Sequence, residues 1–315
     1  MKSASISPPG MKARVEVPRE LALGLASACT PAMDGHQWAG ENVTMARAVL
    51  DGPAGWDAAG VLASLLGRPG VGPGWAVLRM PSGLDDARLR LAGAGMLAAI
   101  GRPFFSINEG GSLWIGGEST PERDAASFGG NGRQGLHIDA PNTEIVPDYT
   151  SLLVLRPDPA GGGHSLVGDL HAALAEMSGA DRGELAQLAY FEGHAHRLCG
   201  TGAPRMPFPV LDDGGPGRPW IRWAAKMTAD RRNHAHMDVL HRYAEALDAH
   251  SWVVPLERGC LLVLDQQRAA HGRAALGDQA GLPNGTRRLL LQAKSAFDPA
   301  APAQVLASAS GTSDE

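Results

Sequence analysis

The feature that most restricts the fold is a series of short apolar segments, each ended by glycine, proline or a charge. They are GWAVLRM (74–80), DYTSLLVLR (148–156), HSLVGDL (164–170), GCLLVL (259–264) and RLLLQAKSAF (288–297). Runs this short suit strands rather than helices, so a chain built on them must assemble its core from sheet. The 41 glycines and 23 prolines provide the turns between them. Helical spacing is confined to other stretches. PRELALGLASAC (18–29) has Pro18 at a first-turn position, and residues 57–66 and 82–100 follow the same pattern. A further helix is expected near 183–189, and another over 228–251 with Met237, Leu240, Tyr243 and Leu247 on one face. The class is α+β with a mainly β core. Residues 13–297 read as a single domain between a flexible N-terminus (1–12) and a flexible C-terminal tail (298–315), both small, polar and proline-bearing.

Charge and composition exclude several functions. A net charge of −5 and a pI near 6.1 leave no basic surface of the kind that phosphate backbones require, so nucleic acid is not the expected partner. No apolar run approaches the ~20 residues that span a bilayer, and the first residues lack a signal-peptide core. Cys29, Cys199 and Cys260 are scattered, which argues against a disulfide framework and against a thiolate zinc site. A cytoplasmic protein acting on a small molecule is expected; the oligomeric state is not legible.

The chemistry concentrates in LHIDAPNTEIVPDY (136–149). His137 and Asp139 are two apart, so on an extended strand both side chains leave from the same face and can converge on one ion. His271, in DQQRAAHGR just after the apolar segment GCLLVL, offers a third donor. Two histidines and one carboxylate form the facial triad of non-heme Fe(II) oxygenases, with positions left open for a cosubstrate and O2. Zinc accepts the same donors, but hydrolysis would need an acid/base residue that is not placed nearby in the sequence. Arg288, with Arg287 as the alternative, lies shortly after His271, and its forked guanidinium suits the far carboxylate of a dicarboxylate cosubstrate. The candidates for substrate contacts are Asn142, Thr143 and Glu144 in the loop 141–147, the run 226–233 with Arg231, and Asn108 or Glu109. The pairs His194/His196 and His234/His236 lack matching carboxylates and do not read as metal sites.

Taken together, the HxD pair, VPDYTSLLVLRPDPAGGGHSLVGDL, LLVLDQQRAAHGR and the late arginine resemble the clavaminate synthase and taurine dioxygenase (TauD/TfdA-like) superfamily of Fe(II)/2-oxoglutarate oxygenases, near its amino acid β-hydroxylases. The similarity covers roughly 74–297. The resemblance implies a double-stranded β-helix, or jelly roll, with flanking helices and iron at one open end. It implies that His137, Asp139 and His271 bind Fe(II), that Arg288 holds 2-oxoglutarate, and that Ser165 contacts the same cosubstrate. The implied reaction hydroxylates an unactivated C–H bond of an amino acid or related small polar metabolite, with O2 consumed and succinate and CO2 released, in specialised biosynthesis such as that of antibiotics. The alternatives are the same chemistry on a sulfonate, carrier-bound or other small acid, a desaturation or cyclisation, or a non-catalytic jelly-roll binding protein. Many amino acid hydroxylases of the group carry Glu where Asp139 stands, and a second arginine where Gln292 stands (Leu291 if Arg287 is the binder). Retention of Asp139 favours hydroxylation over halogenation. Lys294, one alternation beyond Gln292, reads as a solvated lysine.

Overall fold

A computed structural model describes residues 13–29, 41–52, 62, 65–66, 72–104, 113–120, 123–124, 126–193, 206–212, 220–279 and 281–297. Its strands are β1 (Arg14–Glu16), β2 (Trp75–Arg79), β3 (Gly101–Phe104), β4 (Ile115–Glu118), β5 (Gln134–His137), β6 (Tyr149–Arg156), β7 (Ser165–Asp169), β8 (Leu211–Asp212), β9 (Trp220–Ile221), β10 (Ser251–Val254), β11 (Cys260–Asp265), β12 (Ala269–Arg273) and β13 (Leu289–Phe297). The helices are α1 (Arg19–Ala28), α2 (Glu41–Leu50), α3 (Asp86–Leu97), α4 (Leu170–Glu176), α5 (Gly179–Leu185) and α6 (Met237–Ala249).

Among the described residues the larger sheet runs β1-β2-β11-β6-β13-β3, with β4 also paired to β13, and the smaller runs β10-β7-β12-β5. This is the mixed α+β, mainly sheet architecture expected, although the strands do not close into a complete barrel. Side-chain alternation defines what lies between the sheets. On β7, Val167 joins the apolar cluster of the larger sheet, while its neighbour Leu166 packs in a second cluster with Leu247 and Tyr243 of α6. On β12, Ala269 points inward and Ala270 outward. Leu136 and Ile138 belong to the outer cluster, which leaves His137 and Asp139 on the inner face. The larger sheet is buried on both sides, since α1, α2 and α3 pack on its outer face, and its strands accordingly read as nearly continuous apolar runs.

Several helix boundaries differ from the sequence expectation. α3 starts at Asp86 rather than near Ser82, because the Asp85 side chain accepts the Arg88 N–H and caps the first turn. The helix expected over 228–251 is broken. A 3-10 turn (Ala225–Ala229) ends at Asp230, whose extended backbone and carboxylate cap a second 3-10 segment (Arg231–His236), and regular helix begins only at Met237. The helix near 183–189 lies earlier, at Gly179–Leu185, where Ser178 and Asp181 form a capping box. The helix expected over 57–66 falls mostly outside the described residues, as do the two terminal segments. No helix among the described residues is long and apolar enough to cross a membrane.

Candidate metal centre and cosubstrate pocket

His137 and His271 are direct partners across the antiparallel pair β5–β12, with ring centroids 4.2 Å apart. Asp139 follows two residues on, and its Oδ2 lies 3.7 Å from His271 Nε2. Ligand atoms from all three side chains fall within 4.8 Å of one another. A β-bulge shapes this end of β5. Two residues of β12, His271 to Arg273, span the longer step from His137 to Gln134. The extra residue turns Gln134 to the inner face beside His137, as bulges do near functional sites. Gly135 sits in the bulge, where a Cβ would come within 2.5 Å of that of Ala225.

His137 and Asp139 are held by their neighbours. The His137 Nδ1–H donates to the Gly135 carbonyl at 2.9 Å, which leaves Nε2 as the acceptor nitrogen a metal needs, with the Gln134 amide nitrogen 3.5 Å from it. Burial pushes the His137 pKa down, so the ring favours the neutral, ligating form; the Asp139 charge opposes this and the Lys226 charge adds to it. Asp139 Oδ2 accepts from Thr150 Oγ1 (2.7 Å) and Gln292 Nε2 (2.9 Å). Lys294 is buried, contrary to the solvated lysine expected. Its Nζ donates to Gln292 Oε1 at 2.9 Å and stands 3.7 Å from Asp139 Oδ1. The ammonium thereby fixes the orientation of the Gln292 amide, which turns its NH2 toward the carboxylate. The donor set, two imidazoles and a carboxylate on one inner face, fits a divalent iron ion.

Just beyond Asp139 the chain turns sharply at Ala140, whose φ of 55° is left-handed and costs about 1–2 kcal/mol for a non-glycine residue. The turn is fastened from outside. Arg222, ion-paired with Asp212 at 2.7 Å, donates to the carbonyls of Pro141 and Thr143. Thr143 Oγ1 bonds the Ala140 carbonyl, and Asn142 Nδ2 donates to the Glu192 carbonyl. Both expected substrate residues in this turn are therefore buried braces, and Glu144 and Arg231 are exposed. None of these four lines the cavity beside the triad, and Asn108 and Glu109 lie outside the described residues.

The inner face of β13 continues the site. Leu290, Gln292 and Lys294 share the parity of Arg288, which directly precedes the strand. Arg288 and Ser165 are both buried and line a narrow crevice with His271 and Arg273. Gly163, with φ +66°, leaves the room Arg288 occupies; a Cβ there would come within 3.3 Å of the Arg288 Cδ. Burial, with a smaller contribution from neighbouring Arg273, lowers the Arg288 pKa to about 10. The acidic group acting on it, Asp158, is already engaged by N–H donors from Ala160, Gly162, Gly277 and Gln279. A buried guanidinium so placed lacks an ion-pair partner among the described residues and fits an incoming carboxylate. Arg287 is different: its Nε donates to Leu282 O and its backbone N–H to Glu118, on the loop side of the strand. Arg273 is a site residue that the sequence reading missed. Two positions after His271 on the inner face, it donates to the carbonyls of Phe128 and Gly132 and so holds the 126–133 loop against the site.

A sheet-built pocket with two histidines, an aspartate and a buried arginine defines a mononuclear iron oxygenase of the 2-oxoglutarate type. The chain matches the model of the taurine catabolism dioxygenase TauD, TfdA family over residues 72–293, and it belongs to that family. An asparagine oxygenase solved with Fe(II), 2S,3S-3-hydroxyasparagine and succinate has a similar structure, with a TM-score of 0.68 and 22% identity over 90% of this chain and 93% of that one. The non-heme iron oxygenase OrfP, solved with Fe, succinate and (3R,4R)-dihydroxy-L-Arg, gives 0.61 and 18% over 90% and 94%. OrfP has also been solved with Fe and alpha-ketoglutaric acid (TM-score 0.56). No curated protein matches the chain in sequence. The chain is thus an Fe(II)/2-oxoglutarate-type oxygenase, close in fold to oxygenases of amino acids.

Proposed function

We propose that His137, Asp139 and His271 hold Fe(II), that Arg288 with Ser165 binds the distal carboxylate of 2-oxoglutarate, and that the enzyme hydroxylates an unactivated C–H bond of an amino acid or related small polar metabolite. The observation that carries this reading is the convergence of three donor atoms within 4.8 Å at a point flanked on one side by the Arg288 crevice and on the other by a cavity of about 250 Å³. Bound iron and 2-oxoglutarate would supply the oxidising chemistry, in which one oxygen atom of O2 enters the substrate C–H bond as hydroxyl and the other enters succinate as the keto acid loses CO2. The chain's own residues have narrower tasks. Gly135 O orients the His137 ring, Thr150 and Gln292 fix one carboxylate oxygen of Asp139, and Arg288 neutralises and positions the cosubstrate. Phe128, which lines both the crevice and the cavity, limits water between them. We take residues 13–297 as one catalytic domain, since a single apolar cluster includes α1, α2 and strands of both sheets. A role in specialised biosynthesis is supported by the likeness to amino acid oxygenases. The test is anaerobic addition of Fe(II) and 2-oxoglutarate, which is expected to give a weak visible charge-transfer band in the wild type and none in His137→Ala. Absence of the band in the wild type refutes the proposal.

A further inference from the structure

We infer that Gln134 is a cosubstrate-binding residue, its side-chain amide donating a hydrogen bond to the keto acid end of 2-oxoglutarate beside the metal. This rests on the iron-oxygenase reading above and adds to it a contact at the end of the cosubstrate opposite Arg288.

Strand alternation alone would turn Gln134, three residues before His137, to the outer face. The β-bulge in β5 reverses that and sets the side chain on the inner face. The bulge is built into the sequence, because any Cβ at Gly135 would collide with that of Ala225. The half-buried amide so placed has one weak hydrogen-bond contact among the described residues: its Nε2 is 3.5 Å from His137 Nε2. That ring nitrogen is the acceptor, since the Nδ1–H is spent on the Gly135 carbonyl, so the amide presents its NH2 to it rather than its oxygen. A metal takes the same lone pair. The NH2 group then loses its acceptor at the point where the anionic end of the cosubstrate arrives, and an amide N–H donating to a carboxylate forms a charge-assisted bond. Position singles out this ligand. The Arg288 crevice and the cavity beside Asp139 have two lining residues in common, Phe128 and Gln134. A dicarboxylate anchored by Arg288 at one end and reaching the triad with the other crosses this junction, where Phe128 offers only an apolar ring. Gln134 is the polar side chain that meets it there. Its backbone is steadied by pairing with Arg273, whose guanidinium holds the carbonyls of Phe128 and Gly132. Preorganisation of this kind is what a binding contact next to a metal requires.

The test uses the full chain. Fe(II) binding to the metal-free protein is measured by anaerobic calorimetry, and 2-oxoglutarate binding to the Fe(II)-loaded protein by titrating the charge-transfer band. Gln134→Ala is expected to weaken 2-oxoglutarate binding roughly ten- to hundredfold, the loss of one hydrogen bond to a charged group, and to leave Fe(II) affinity within about twofold. Gln134→Glu keeps the shape but sets a carboxylate against the anionic keto acid, so it is expected to weaken 2-oxoglutarate binding further and to hold Fe(II) at least as tightly as wild type. A side chain that merely filled space would tolerate Glu better than Ala, and the proposed contact reverses that order. An unchanged affinity for 2-oxoglutarate in Gln134→Ala, tighter 2-oxoglutarate binding by Gln134→Glu than by Gln134→Ala, or a loss of Fe(II) affinity as large as that for 2-oxoglutarate would each overturn the inference. So would a raised KM for the organic substrate alone, which would assign the amide to that molecule instead. Because the side chain is half-buried and its hydrogen-bond contact is with His137, both variants are expected to fold. The wild-type band separates the two readings. If it forms and Gln134→Ala titrates like the wild type, only the Gln134 inference fails; if it does not form, both fail.

Discussion

Replacing Lys294 by Met should destabilise the protein without metal far more than the protein with it. Lys294 is 3% exposed and stands 3.7 Å from Asp139 Oδ1. At an effective dielectric near 20, charges at that separation attract by roughly 4 kcal/mol, and deleting one partner of a buried pair costs about 3–5 kcal/mol. Methionine nearly matches the volume of the lysine stem, so little of this loss would come from packing. For a domain of this size about 2–4 °C of melting temperature accompanies each kcal/mol, so the metal-free variant should melt on the order of 6–20 °C lower. Iron changes the balance, because its double charge meets Asp139 in place of the ammonium. What persists is the Gln292 carbonyl left without its donor, worth roughly 1–3 kcal/mol. Anaerobic thermal unfolding of wild type and Lys294→Met, with and without saturating Fe(II), reads both differences. The reasoning is refuted if the metal-free variant melts within about 2 °C of wild type, or if Fe(II) widens the gap rather than narrowing it.

Arg288→Lys should raise the KM for 2-oxoglutarate roughly tenfold or more, since a lysine cannot offer two parallel donors, while Arg287→Ala should leave it within about twofold. Equal effects in steady-state assays would return the two arginines to equivalence. Protonation should also register. Burial lowers the His137 pKa, so below the ordinary histidine value of about 6.5 the unfolded chain takes up a proton that the native metal-free protein resists. Its stability should therefore fall as pH drops through about 6.5, and His137→Gln should flatten that decline in urea unfolding; a variant with an unchanged slope would contradict it.

How far the site was legible depended on which residues leave a periodic trace. His137 and Asp139 were readable because a strand sends i and i+2 to the same face, and His271 because it follows an apolar strand segment. Choosing between Arg287 and Arg288 by parity was not possible in advance. The strand after them is apolar on both faces, Leu289 and Leu291 toward the helices and Leu290 toward the interior, so alternation carried no polarity. Lys294 was misjudged because lysine is rarely buried; only the register that sets it opposite Thr150, itself bonded to Asp139, explains its position. Glu192 and Lys226, which line the cavity beside Asp139, come from a loop after α5 and from a 3-10 turn, where no period marks an inward side chain. Asn142 and Thr143 lay in the right turn but serve it from beneath, because a left-handed Ala140 must be braced.

The pairing of His137 with His271 also makes an ion at this site a fastener. The two ligands stand opposite each other on β5 and β12 but are 134 positions apart along the chain (271 − 137), and β5 is a four-residue edge strand of its sheet. An ion gripped by both would tie that short edge to its neighbour much as a covalent crosslink would, closing a very long loop and penalising any slip of β5 by one residue, which would turn His137 away from His271. Occupancy would then report on whether the smaller sheet is in register, and a protein stripped of its metal would be expected to fray first at β5, on the wall of the cavity where substrate must be held still.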